Sequence, residues 1–316
     1  MNRVAVIGAG SWGTTLASLL VHQQQKVYLW THSPNHIPDT QAHVSTSLEE
    51  VLKGCKVAVI VVASEFFRST VEKIAPLLPD ECYILSATKG LETDTGKRMS
   101  EILFELLPIS FHKKIAVLSG PNLAKEIQAQ KPAAAVVAGK DEETALYFQQ
   151  LLSAGYFRVY TNNDVIGVEL GGTLKNIFAI AAGIADGFNF GTNAKSALMV
   201  RGIAEMSRLG TAMGAKQSTF FGLSGIGDLI TTCSSSLSRN YQVGILIAKG
   251  EKLSDIEATR VEVAEGINTA RVAAALGKQL NIELPIVEQM YEVLYKDKDP
   301  YDAVLNLMLR DLKAEV

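Results

Sequence analysis

Arg3-Val4-Ala5-Val6-Ile7-Gly8-Ala9-Gly10-Ser11-Trp12-Gly13-Thr14-Thr15-Leu16-Ala17-Ser18-Leu19-Leu20 joins an apolar β-branched run, a glycine-rich turn and the start of an amphipathic helix. Gly8, Gly10 and Gly13 match Gly-x-Gly-x-x-Gly, and Leu16, Leu19 and Leu20 share one face of a helix expected over residues 14–22. Gly8 allows the tight turn, Gly10 lets the backbone approach a pyrophosphate, and Gly13 lets helix pack closely on strand. The helix amino terminus then holds the phosphates. A glycine pattern alone is weak, but the strand before it and the helix after it supply the context the motif needs. The stretch predicts a dinucleotide-binding unit, with Gly8, Gly10, Ser11, Trp12 and Gly13 against the cofactor.

The same alternation continues to about Tyr160. Short apolar runs at 4–7, 26–30, 57–62, 82–86, 115–119, 134–138 and 157–160 read as strands buried on both faces. Helical patterns over 64–78, 95–107 and 141–152 lie between them, which predicts βαβ crossovers and a mostly parallel, doubly wound Rossmann-type sheet. After Asn163 the texture becomes rich in Ala, Gly and Leu, with helices expected over 164–187, 192–213, 239–249, 268–280, 286–296 and 303–312 and no convincing strand. The fold class is therefore α/β, with a dinucleotide-binding domain at 1–162 and an all-helical, substrate-binding domain at 163–316.

Composition narrows the partners. The chain has 316 residues, 47% hydrophobic and 20% charged, which suits two globular domains. A net charge of -3 without any basic run argues against nucleic acid. Three cysteines, far apart in sequence and lacking a Cys-x-x-Cys pair or a neighbouring histidine, predict no metal site and a reducing, cytoplasmic setting. Apolar runs such as 57–63 are too short to cross a bilayer, so no membrane span is expected.

At the end of the second strand, where an NAD-preferring site places Asp or Glu on the ribose hydroxyls, this chain has Trp30-Thr31-His32-Ser33. A carboxylate there would repel the 2′-phosphate of NADP. His32 can instead hydrogen-bond that phosphate and add charge when protonated, so NADP(H) is favoured and NAD(H) remains possible.

Further runs sit at later strand ends and in the helical half: Ser86-Ala87-Thr88-Lys89-Gly90-Leu91, Ser119-Gly120-Pro121-Asn122-Leu123-Ala124-Lys125-Glu126, Leu174-Lys175-Asn176, Gly225-Ile226-Gly227-Asp228-Leu229, Ser238-Arg239-Asn240 and Val263-Ala264-Glu265-Gly266. Taken in order, they resemble the NAD(P)-dependent glycerol-3-phosphate dehydrogenase family of bacterial type over nearly the whole chain. Two departures stand out. The connection between the second and third family strands, over residues 32–47, is shorter than usual, and the residue after Pro121 is Asn122 rather than Thr or Ser. The resemblance implies interconversion of dihydroxyacetone phosphate and sn-glycerol 3-phosphate for glycerophospholipid synthesis, by a homodimer joined through its helical domains.

Ketone reduction needs a hydride, a proton donor, charge at the forming alkoxide and an anchor for the phosphate. Lys175 is the only charged residue between Glu169 and Asp186, in an apolar helical run that should depress its pKa. Gly171 and Gly172 beside it would admit another backbone or a ligand. The family places its proton donor and acceptor at Lys175. Lys89, at a strand end, is expected to polarise the carbonyl and, by resemblance, to touch substrate and nicotinamide together. Asp228 would orient the catalytic lysine or hold a hydroxyl, with Thr232 one helical turn later. Ser238, Arg239 and Asn240 combine hydroxyl, guanidinium and helix-start amides suited to a phosphate dianion. By resemblance Gly120, Asn122 and Asn176 complete the substrate site, while Ala124, Arg239, Val263 and Glu265 contact the cofactor.

Two other readings compete. A 3-hydroxyacid dehydrogenase carries Gly-x-x-x-Lys-x-x-x-Asn; Gly171 and Lys175 fit, but position 179 is Ala. A non-catalytic NAD(P)H sensor would account for the glycine turn but not for Lys89, Lys175, Asp228 and Arg239 together.

Overall fold

The computed structural model describes residues 2–35, 38–259, 264–312 and 314–315. Its first half is built on strands β1 (Arg3–Ile7), β2 (Lys26–Trp30), β3 (His43–Ser45), β4 (Val57–Ile60), β5 (Tyr83–Ser86), β6 (Ile115–Ser119), β7 (Ala133–Gly139) and β8 (Phe157–Asn162). They form one sheet in the order β3-β2-β1-β4-β5-β6-β7-β8. Every pairing is parallel except β6 with β7, where Ser119 lies opposite Val136. The strands at the centre are apolar on both faces because helices cover both. Helices α1 (Ser11–His22), α5 (Ala124–Gln128) and α6 (Glu142–Leu152) enclose one core with Val4, Val6 and Val59. Helices α2 (Leu48–Leu52), α3 (Phe67–Ile74) and α4 (Met99–Leu106) enclose the other with Ala5, Ile7 and Ile60.

Three features were not expected. The short strand β3 adds an edge to β2 (Ser45 opposite Trp30), and three residues carry too little periodicity to announce it. The 57–62 run stops pairing at Ile60, so Val61 and Val62 leave the sheet at its carboxyl edge. Cys55 and Cys82, distant in sequence, precede adjacent strands, and their Sγ atoms lie 3.6 Å apart.

The second half follows as α7 (Val165–Gly187), α8 (Gly191–Ala212), α9 (Asp228–Ser234), α10 (Arg239–Ala248), α11 (Leu253–Thr259), α12 (Glu265–Gln279), α13 (Pro285–Tyr295) and α14 (Pro300–Met308), with no strand among the described residues. Helix α7 starts on an Asp164 cap, its carboxylate accepting from the Gly167 amide at 2.9 Å. It is long and apolar enough to cross a membrane by length and composition, but 94% of that apolar stretch is buried inside the protein. It is the central helix of this half, packed against α8, α9, α10, α12 and α13 and against β6 and β7 of the sheet.

Phe178, fully buried on α7, anchors that core. Replacing it with Ala should destabilise the fold by about 3–5 kcal/mol, read as a lower denaturant midpoint at unchanged slope. A loss under about 1 kcal/mol would mean the core is organised around other side chains.

Candidate active site

Ligands of open α/β sheets bind at the carboxyl edge where strand order reverses, which here is between β1 and β4. A cleft of about 900 Å³ opens there and runs between the sheet and the helical half. Gly8, Gly10, Ser11, Trp12, Gly13 and His32 line it from the sheet side, with Lys89, Asn122 and Ala124. Lys175, Asn176, Asp228, Thr232, Ser238, Arg239, Asn240 and Glu265 line it from the helical side. Gly120 stands just behind, its carbonyl accepting from Lys89 Nζ at 3.0 Å. Val263 lies outside the described residues.

At the glycine turn, a Cβ on Gly13 would sit 1.8 Å from the Gly8 carbonyl oxygen, so helix and turn touch there. A Cβ on Gly10 would meet nothing within 4 Å, because that face opens on the cleft. The Trp12 indole N–H is buried with no partner. A turn that leaves one backbone face open beside an unpaired donor fits the pyrophosphate of a dinucleotide.

The centre of the cleft is a buried triad. Asp228, 1% exposed, accepts from Lys89 Nζ on one oxygen at 2.8 Å and from Lys175 Nζ on the other. Lys175 Nζ also donates to Thr232 Oγ1 at 2.6 Å. That leaves the third donor of the ammonium without a protein partner among the described residues. Burial pushes the Lys175 pKa down to about 8; Asp228 opposes the shift and the nearby Lys89 cation adds to it. Local geometry explains how the three meet. Gly171 lacks the Cβ that would strike the Ser224 carbonyl oxygen at 2.5 Å, and Gly172 the one that would strike Ser119 Oγ at 2.1 Å. The chain therefore passes close to α7, makes a π-helical turn over Leu223–Gly227, and delivers Asp228 to Lys175.

Two flanks complete the site. Ser238 caps α10 by accepting from the Tyr241 amide at 3.2 Å, which sets Arg239 and Asn240 at a helix amino terminus. Asn240 Nδ2 donates to Asn176 Oδ1 at 2.9 Å, and its own oxygen accepts from the Gly266 amide at 2.9 Å. Glu265 accepts from both the amide and the hydroxyl of Ser64, at 2.9 and 2.5 Å, and burial raises its pKa. Sequence reasoning missed Ser64 as this partner. It also missed the lining residues Val61–Ala63 and the α3 face bearing Ser69, Thr70 and Lys73. The carboxyl-edge rule pointed to the former; α3 shows only the amphipathic pattern of any sheet-covering helix.

The open face at Gly10 separates binding from folding. Gly10→Ala should leave the melting temperature unchanged and raise the NADPH Kd at least about tenfold, a cost of ~1.4 kcal/mol. Gly13→Ala should lose ~2 kcal/mol of stability by overpacking. Calorimetry of both variants checks this; a Gly10→Ala protein with wild-type affinity would remove the dinucleotide from this turn.

Comparisons with known proteins agree over the full length. The N-terminal model of NAD-dependent glycerol-3-phosphate dehydrogenase matches residues 3–44 and 38–145, and its C-terminal model matches 164–305. The two N-terminal segments break at the shortened connection after β2. A glycerol-3-phosphate dehydrogenase [NAD(P)+] of Geobacter sp. (strain M21) is 46% identical over 331 residues, covering 99% of each chain. That of Syntrophotalea carbinolica is 46% identical over 330 residues, again covering 99% of each. The crystal structure of glycerol-3-phosphate dehydrogenase from Coxiella burnetii superposes with a TM-score of 0.90 at 35% identity, covering 98% of this chain and 99% of that one. The chain belongs to the NAD-dependent glycerol-3-phosphate dehydrogenase family.

Proposed function

We propose that this chain is an oxidoreductase that interconverts dihydroxyacetone phosphate and sn-glycerol 3-phosphate with NAD(P)H, supplying the backbone of glycerophospholipids. The observation that carries the reading is the buried Lys89–Asp228–Lys175 triad in the same cleft as the glycine turn. When bound, the nicotinamide supplies a hydride to the carbonyl carbon. Lys175, protonated, donates its free N–H to the carbonyl oxygen and gives up the proton as the alkoxide forms. Lys89 polarises the same oxygen, and Asp228 with Thr232 orients Lys175. Arg239, Ser238, Asn240 and the amides at the start of α10 hold the substrate phosphate, with Asn176 supporting Asn240. Asn122 and Gly120 form the wall behind Lys89. Oxidation of the alcohol runs the proton back to neutral Lys175.

The division into a cofactor half at 1–162 and a substrate half at 163–316 belongs to this reading, supported by the change from β8 to α7 at the junction. A homodimer joined through the helical half belongs to it too, supported by exposed apolar side chains such as Val200, Met308 and Leu309. The cytoplasmic setting rests on the cysteine usage argued above. Preference for NADP(H) rests on His32, which lines the cleft where a carboxylate would select NAD(H).

Three outcomes follow. Lys175→Ala should lose most turnover while NADPH still binds; wild-type rates in that variant would sink the mechanism. Because reduction needs the protonated lysine, kcat/KM for the ketone should be flat below pH 8 and fall above it, while alcohol oxidation rises towards pH 8 and levels off. Parallel pH profiles for the two directions would contradict Lys175 as the proton carrier. His32→Asp should weaken NADPH at least about tenfold by charge repulsion of the 2′-phosphate and tighten NADH, whose ribose hydroxyls the carboxylate can accept from; an unmoved NADPH to NADH ratio would overturn the cofactor argument.

A further inference from the structure

Glu169 is a carboxylate on α7 whose side chain is 7% exposed and which takes no part in the cleft. It reaches out of the helical half and ends on the sheet half, at the amino terminus of α4. One oxygen accepts from the Ser100 amide at 2.8 Å; the other accepts from Ser100 Oγ at 2.5 Å and from Arg98 Nη1 at 2.6 Å. Arg98 is itself tied to the loop that carries Lys89, through an antiparallel bridge to Leu91, and Leu91 packs in the core of the helical half. On the other side, Glu169 precedes Lys175 by six residues on one rigid helix, about 9 Å of rise. A short, continuous path of bonded groups therefore runs from Lys175 through Glu169, Arg98 and Leu91 to Lys89.

We infer that Glu169 is a positioning residue: by capping α4 from α7 it fixes the distance between the two cleft lysines and so sets the geometry in which they meet one substrate oxygen. This rests on the functional reading above. The chemistry suits the task. Burial raises the pKa of Glu169, and a guanidinium, a hydroxyl and a helix-terminal amide converge on it to oppose that shift. Removing Glu169 leaves the Ser100 amide without its acceptor, while Arg98 keeps Ser100 Oγ at 2.7 Å and Glu101 at 3.2 Å, so what is lost is the link across the two halves. It therefore acts as a stop between the halves and not as a soft surface bridge.

Loosening the stop has a directional consequence. Asp228, Thr232 and Cys233 share the helical half with Lys175 and stay with it, whereas Lys89 departs with the sheet. Of the groups facing Lys175, the one lost is the cation that lowers its pKa, and water enters the gap it leaves. The Lys175 midpoint then moves up from about 8.

The test compares Glu169→Gln with Glu205→Gln. Glu205 is likewise a buried carboxylate capping a helix, accepting from the Ile286 and Val287 amides at 2.8 and 3.1 Å, but it lies outside the cleft and within the helical half. Both variants put an amide NH2 where a carboxylate oxygen accepted from a donor, and both should melt earlier. Glu169→Gln should also lower kcat for dihydroxyacetone phosphate about tenfold, with the NADPH Kd from protein fluorescence unchanged. It should raise the pH midpoint for acetylation of Lys175 by acetic anhydride, read by mass spectrometry. Glu205→Gln should change neither. If Glu169→Gln does not fold, Ser100→Ala, which removes the hydroxyl between Arg98 and Glu169 but keeps the backbone amide, should show the same two effects at smaller size. Wild-type kcat and an unmoved Lys175 midpoint in the Glu169 or Ser100 variant, or equal losses in the Glu205 variant, would overturn the inference. The acetylation midpoint needs no turnover, so an inactive wild type would refute the functional reading and leave this one to be judged separately.

Discussion

One buried carboxylate between two ammonium groups organises the molecule. Asp228 is 1% exposed, and a carboxylate so far from water needs cations and donors around it. Lys89 and Lys175 supply them from opposite halves of the chain, two cationic side chains against one carboxylate. In the proposed reaction that excess of cations would meet the forming alkoxide, already in place before any ligand arrives. Pre-organisation of this kind has a structural cost: three ionisable groups must be buried at the contact between two domains, and the packing there has to hold them.

The packing that does so is concentrated in α7. The helix is buried along nearly its whole length, so its position is determined by neighbours on all sides and not by a single face. Small residues at 171 and 172 let it approach the Ser224 backbone and Ser119 far more closely than any larger side chain would permit. The apolar surroundings that stabilise the helix are the same ones that depress the Lys175 pKa. Stability and reactivity thus share a cause, and a more polar α7 would weaken both.

The opening turn, the sheet and the helical second half were legible because each is a local, periodic signal: alternating strands and helices, a glycine spacing, a lysine isolated in an apolar helix. Lys175 stood out by contrast with its neighbours. Other parts were not legible for an equally physical reason. β3 is three residues long, and the antiparallel turn-back from β6 to β7 depends on which end of the sheet the chain re-enters, which no periodicity encodes. The ion pairs of Asp228 were not legible either, since its partners lie 53 and 139 residues away. Ser64 and the carboxylate of Glu265 are 201 residues apart, and nothing in either neighbourhood points to the other.

Charge along the cleft follows a similar logic. Its only lining carboxylates among the described residues are Asp228 and Glu265. The first is matched by two lysines; the second accepts from both donors of Ser64 and is opposed by the charge of the Arg239 guanidinium. The remaining titratable lining groups are His32, Lys73, Lys125, Arg239 and the two cleft lysines, all neutral or positive. A cleft so lined attracts phosphate at more than one point, and a dinucleotide bearing three phosphate groups gains more from it than one bearing two. This supports the proposed preference for NADP(H) independently of the single position after β2: selectivity would arise from the absence of carboxylates along the wall as much as from the presence of His32.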